Sequence, residues 1–193
     1  MKLPSGSLVM LLMVAGLCAG VSPPAPVPEP VPVPLDQEEY LDAEDWFRSG
    51  LALNGSGNYR EAAEAFARSI SIEPENPLAW LNLGTARALY GDYADAIPAL
   101  EKSVHLDPKL ALGFANLGEV FFRSERFGEA VEAFTTLLTL WPEDHNAHYK
   151  RGLAYLHLQE AGKARAEYLT LKTVDPELAG KLLQAIEEGT VHN

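Results

Sequence analysis

Asp144, His145 and His148 come nearest to a metal-ligand cluster in this chain, with the two histidines three residues apart on one predicted helix. Imidazoles at that spacing share a helix face, but a tight site needs further ligands in fixed geometry. His148 also falls in a packing row described below, which assigns it to the core. His105 and His157 have no evident partners, and His192 lies in the tail. The sequence contains no Gly-rich phosphate loop, nucleophile elbow or zinc-protease helix motif. These residues predict no catalytic site, no metal and no cofactor. Cys18 is the only cysteine, so a structural disulfide within one chain is excluded. Its place at the end of an apolar stretch makes it a candidate for lipidation.

The elements that would position any site follow a strict repeat. Pro74, Pro108, Pro142 and Pro176 recur at one constant step. Gly50, Gly84, Gly118 and Gly152 keep the same step, as do Ala62, Ala96, Ala130 and Ala164. Trp46, Trp80, Phe114 and His148 form a further row, and Phe66, Leu100, Phe134 and Tyr168 another. Within a unit, Phe114, Leu117, Gly118 and Phe121 recur at the spacing of one helix face, and Ala130, Phe134 and Leu137 do so in a second helix. A glycine inside a helix costs about 1 kcal/mol against alanine, so a row of them implies close approach of two helices. Turn-prone pieces separate the two helices, as at Gly55-Ser56-Gly57-Asn58, Gly91-Asp92 and Ser124-Glu125-Arg126. The prolines close each second helix, and Asn76-Pro77 reads as an N-cap and first helical residue.

Read within one unit, Trp80-x2-Leu83-Gly84-x2-Arg87…Ala96-x3-Leu100…Pro108 resembles the tetratricopeptide repeat, and the constant step matches that family's period. The resemblance implies an all-α solenoid of four helical hairpins, at 43–76, 77–110, 111–144 and 145–178, in a repeat domain spanning 36–178. A short amphipathic helix at 177–189, with Leu178, Leu182, Leu183 and Ile186 on one side, is expected to cap the last unit. Asp36 and Glu39 suggest that the first helix begins near Gln37. The fourth unit departs most. His148 stands in the aromatic row, Arg151 where Leu83 and Leu117 sit, and Ala161 where Tyr59, Tyr93 and Phe127 sit. A looser contact is expected there.

In this family the first helix of each unit lines a concave groove that holds a partner's peptide. The matching positions here are a polar row of Arg48, Asn82, Asn116 and Lys150, flanked by Phe47, Leu81, Ala115 and Tyr149 and by Leu51, Thr85, Glu119 and Leu153. Leu78, Leu112, Phe122 and Leu156 add apolar surface. Repeated asparagines resemble those with which some family members hold a peptide main chain. Chaperone-binding members clamp a terminal carboxylate with two lysines, an arginine and two asparagines. The corresponding places hold Leu81, Thr85, Asn116, Asn146 and Lys150, and only Asn116 fits outright, so no such clamp is expected. The resemblance therefore implies a non-catalytic scaffold with a peptide or helix in its groove. Self-association through the groove or an edge is the alternative.

The segment before the repeats differs in kind. Residues 1–20 place Lys2 before an apolar core at Leu8–Leu17 and small residues at Cys18, Ala19 and Gly20, the order of a secretory signal. The apolar stretch from Leu8 to Val21 is shorter than the roughly 20 residues that a transmembrane helix needs. Ala15-Gly16-Leu17-Cys18 resembles a bacterial lipobox, although Leu17 stands where that family has a small residue. Lipidation at Cys18 and ordinary cleavage after Gly20 are both open. Residues 21–35 form a Pro-rich linker, whose run from Ser22 to Pro34 favours polyproline II. At about 3.1 Å per residue it reaches roughly 40 Å, enough to hold a domain off a membrane. Lys2 and Glu29 cancel, so residues 35–193 carry the whole net charge of −12. Such a domain repels phosphate backbones, and no nucleic-acid partner is expected. The expected location is the periplasm or a membrane anchor in the bacterial envelope.

Overall fold

The computed structural model describes residues 41–191, with side chains to Glu188. The signal segment, the linker and Cys18 lie outside the described residues. Among those described, nine helices and no strand follow one another: α1 (Ala43–Gly55), α2 (Tyr59–Ile72), α3 (Pro77–Leu89), α4 (Tyr93–Leu106), α5 (Ala111–Arg123), α6 (Phe127–Leu140), α7 (His145–His157), α8 (Ala161–Val174) and α9 (Pro176–Val191). The starts of the odd-numbered helices from α1 to α7 keep the step of the proline row, and so do those of the even-numbered helices from α2 to α8.

Local chemistry sets the boundaries. Asn76 Oδ1 accepts from the N–H groups of Leu78 and Ala79 while Pro77 occupies the first helical position, so α3 starts there. The start of α1 corrects the sequence expectation. Asp42, not Asp36, is the N-cap: it accepts from Asp45 N–H at 2.9 Å, and Asp45 reaches back to Asp42 N–H at 3.4 Å. Asp36 and Glu39 themselves lie outside the described residues. At the other end Pro176 opens α9 instead of leading into a turn, since a proline is accepted where no helical N–H is needed.

The core lies between the two helices of each unit and between successive units. Ala62, Ala96, Ala130 and Ala164 are fully buried. A Cβ built on Gly50, Gly84 or Gly118 would stand 2.5–2.6 Å from the side chain of Phe66, Leu100 or Phe134 respectively. The glycine row thus lets a large side chain from the second helix lie against the backbone of the first. The fourth unit solves the same problem differently. Beside Gly152 the nearest side chain is Leu182 of α9, at 2.6 Å from a built Cβ, and Tyr168 is only half-buried. Ala179, Leu182 and Ile186 of α9 are buried against α7 and α8, whereas Leu183 is not.

The contact between the two helices of the fourth unit is the sparsest of the four, as its departures from the repeat lead one to expect, and it carries a polar junction. Arg151 Nε donates to Glu167 Oε1 at 2.9 Å and Nη1 to Thr135 Oγ1 at 3.0 Å. His148 Nδ1 lies 2.7 Å from Glu167 Oε2, and its Nε2 lies 3.1 Å from Pro142 O. Glu167, only 6% exposed, stands where Ala65, Ala99 and Ala133 fill the core of the other units. A buried carboxylate is tolerated here because it is paired and hydrogen-bonded on both oxygens. His148 also repeats a bond that Trp80 makes: Trp80 Nε1 donates to Pro74 O at 2.7 Å, and Pro142 is the counterpart of Pro74.

Candidate partner-binding groove

Helix α1 meets α3 and α3 meets α5, so the first helices of successive units approach one another on the inner side of the array. That side carries the polar row. Asn116 Nδ2 in α5 donates to Thr85 Oγ1 in α3 at 2.7 Å, and Lys150 Nζ in α7 donates to Glu119 Oε2 in α5 at 2.5 Å. Both bonds run from the sixth position of one unit to the ninth of the unit before. Asn82 has Leu51 in that place, which cannot pair, and its amide turns back to Leu78 O at 2.8 Å. Among the described residues no unit precedes that of Arg48. This arginine pairs within α1, with Glu44 at 3.1 Å and Asp45 at 3.5 Å. Sequence reasoning places these residues on one row but misses that Thr85 and Glu119 hold it. The shared sequence offset of 31, one unit less three positions, is the available signal.

Amide orientation follows from the partners. Leu78 O can only accept, so the Asn82 amide nitrogen faces it. Thr85 Oγ1 donates its proton to Leu81 O at 2.7 Å and must therefore accept from Asn116. Each asparagine spends an N–H on the protein and keeps its Oδ1 as an acceptor.

Other expected groove residues divide between surface and core. Leu81 is a correction: at 4% exposure it lies in the core, because its side of α3 faces the neighbouring helices. Tyr149, Leu153 and Leu156 are partly buried against the cluster formed by α8 and α9. Phe122 is half-buried in an aromatic group with Phe127 and His157, whose rings stack at 4.1 Å. Leu78 and Leu112 remain exposed one unit apart. Between α3 and α5 lies a hollow of about 380 Å³ lined by Thr85, Leu89, Tyr93, Asn116, Glu119 and Arg123, among others. Glu119 is the electrostatic centre of this face. Burial raises its pKa, but hydrogen bonds from Lys150 and Arg123 outweigh that and hold it below the usual carboxylate range.

The three residues considered as a metal cluster are spoken for separately. Asp144 Oδ1 caps α7 by accepting from Ala147 N–H, His145 faces Asp175 at 3.7 Å, and His148 faces Glu167. Among the described residues no group of three or more His, Cys, Asp or Glu side chains could hold a metal ion.

The constant step, the paired helices and the glycine row define a helical-repeat scaffold, and comparison with known proteins supplies the family. The tetratricopeptide repeat profile matches residues 47–111 and 116–179, and the chain belongs to that family. A search of the curated proteins finds no match. Among solved structures, a crystal structure of MamA protein is 26% identical, with a TM-score of 0.72 over 77% of this chain and 82% of the other. A tetratricopeptide repeat protein from Parabacteroides merdae is 22% identical, with a TM-score of 0.70 over 78% and 60%. The first such domain of Spaghetti (RPAP3), bound to the HSP90 peptide SRMEEVD, is 20% identical, with a TM-score of 0.60 over 61% and 94%. Likenesses as distant as the last two show the fold alone. Repeats of this family serve as scaffolds for protein–protein interaction.

Proposed function

We propose that this chain is a non-catalytic adaptor of the cell envelope that holds an extended segment of a protein partner in its inner groove and so assists assembly of a larger complex. The observation that carries this reading is the orientation of Asn82 and Asn116, whose amide oxygens are left as acceptors that a ligand's N–H groups can use. An extended main chain has free N–H groups to give, whereas a helix spends its own internally. The exposed Leu78 and Leu112 beside that row suit apolar side chains of the same segment. Export rests on the order of residues 1–20, and tethering on Cys18 with the Pro-rich spacer after it. Among the described residues no helix is long and apolar enough to cross a membrane.

Affinity capture from an envelope extract of the source cell, with the full chain beside its Asn82→Ala, Asn116→Ala variant, tests the groove. A protein retained by the wild type and lost by the equally helical variant is the expected result. Each lost hydrogen bond is worth about 0.5–1.5 kcal/mol, so binding should weaken by one to two orders of magnitude at most. Equal retention by both would place binding elsewhere, and concentration-dependent mass with no retained partner would favour self-association. For tethering, Cys18→Ser should move the protein from membrane to soluble fractions. An unchanged distribution would remove the lipid anchor from the proposal.

A further inference from the structure

The structure assigns a second docking point, on the turn between α6 and α7, to an arginine-bearing segment of a protein partner, centred on the indole of Trp141. This site lies at the unit edge and is independent of the groove. The equivalent positions of the other units hold Glu73, Asp107 and Asp175, so three turns carry an acid where this one carries tryptophan. At 62% Trp141 is the most exposed of the exposed large hydrophobic side chains among the described residues. Elsewhere the chain covers surface rings with its own cations: Arg68 over Trp46 at 5.4 Å, Arg60 over Tyr90 at 5.3 Å, Lys163 over Tyr155 at 5.2 Å and Lys172 over Tyr168 at 5.9 Å. Among the described residues no cation lies over Trp141.

The surroundings select the charge of the visitor. A hollow of about 360 Å³ beside the indole is lined by Glu143, Asp144 and Asp175, with His145 and Asn146. Asp144 and Asp175 each give one oxygen to a helix start, to Ala147 N–H at 2.8 Å and Leu178 N–H at 3.0 Å. The second Asp175 oxygen lies 3.7 Å from His145 Nδ1. Among the described residues no lysine or arginine pairs with any of the three carboxylates; Lys181, whose field reaches Asp175, pairs with Glu177. A planar guanidinium stacks on indole while its N–H fork reaches carboxylates alongside, which an ammonium cannot do from one pose. The carboxylates repel phosphate, so nucleic acid does not fit.

The turn is held ready. Pro142 O is bonded by His148, which is braced by Glu167 and through it by Arg151, and Trp141 N–H donates to Leu137 O at 2.7 Å. The departures of this chain from its own repeat, at 141, 148, 151 and 167, thus converge on one turn. A rigid turn leaves less freedom to lose when the partner docks.

The test is a titration of the 15N-labelled full chain with acetyl-Gly-Leu-Arg-Leu-Gly-amide and its lysine and glutamine counterparts, read by nuclear magnetic resonance. The indole N–H signal of Trp141, assigned by its loss in Trp141→Leu, should shift saturably with the arginine peptide. The glutamine peptide should bind about two- to fivefold more weakly, the factor that corresponds to one exposed cation–π contact. Glu143→Gln, which removes a charge that no bond among the described residues uses, should weaken the arginine peptide and leave the glutamine peptide unchanged. An arginine peptide that causes no saturable shift, shifts that ignore the peptide's charge, or shifts confined to Asn82 and Asn116 would each overturn the assignment.

Discussion

Glu125 and Gln159 sit in the left-handed region, with φ of 59° and 61°, at the same place in their units as Gly57 and Gly91, which have φ of 82° and 93°. The turn between the two helices of each unit needs that conformation, and only glycine adopts it without a Cβ clash. Glu125→Gly and Gln159→Gly should each raise stability by about 0.5–1 kcal/mol, the steric relief less the extra chain entropy of glycine. Thermal unfolding would show this as a higher midpoint, and a fall in both would mean that the turns carry no strain. A second residue-scale contrast concerns two serines at equivalent places in successive units. Ser103 Oγ donates to Pro77 O at 2.8 Å, while Ser69, equally buried at 0% exposure, has no partner for its hydroxyl among the described residues. Ser103→Ala should therefore cost about 0.5–1.5 kcal/mol, whereas Ser69→Ala should be neutral or stabilising, because a buried unpaired hydroxyl is itself a penalty. Equal losses at the two sites, measured by denaturant unfolding, would refute the difference.

At the scale of elements, helix pairs are held by what the first helix lacks. Gly84 leaves room for Leu100, and a built Cβ there also lies 3.0 Å from the main-chain oxygen of Ala96, which cannot swing aside. Gly84→Leu should separate α3 from α4 and cost about 1–3 kcal/mol. Leu182→Ala tests the cap from the other side: it empties the seat beside Gly152 and should cost about 2–5 kcal/mol. A loss well under about 1 kcal/mol in Leu182→Ala would mean that α9 is an appendage and not a cap. These elements are legible because one constant step lines up the glycine, alanine and aromatic rows. The identity of each neighbour is less so. Tyr168 continues its row in sequence, yet Leu182 from the next helix takes its seat. Arg151 and His148 look like lapses in apolar rows. Their partner Glu167 lies 16 and 19 residues away on another helix, and no periodic pattern announces a buried ion cluster. Position on a helix face is legible too, so the inner row reads as ligand-facing, whereas the bonds that Asn116 and Lys150 make across units leave no such mark.

In the molecule as a whole, the described units pack against their neighbours in sequence, so stability is close to a sum of unit and interface contributions. The Lys150–Glu119 tie is one such interface contribution between the third and fourth units, with Arg123 bonded to the same carboxylate at 2.6 Å. Its sign with pH follows from the lowered pKa of Glu119. A carboxyl whose folded pKa lies below its unfolded value stabilises the fold fully above that unfolded value, ordinarily 4.5 here. That contribution declines below it and is lost as pH falls through the lower folded value. Glu119→Gln should therefore be less stable than the wild type near neutral pH, and the gap should close progressively on acidification below the ordinary carboxylate range. The two proteins differ only at this residue, so the closing gap reports Glu119. Thermal midpoints of the two proteins across that range decide the matter. A constant gap would mean that Glu119 contributes shape and not charge to the inner face. A variant as stable as the wild type at neutral pH would show that desolvation of the carboxylate cancels what its two cationic partners supply. The groove would then owe its form to helix packing, with the polar row left to the ligand.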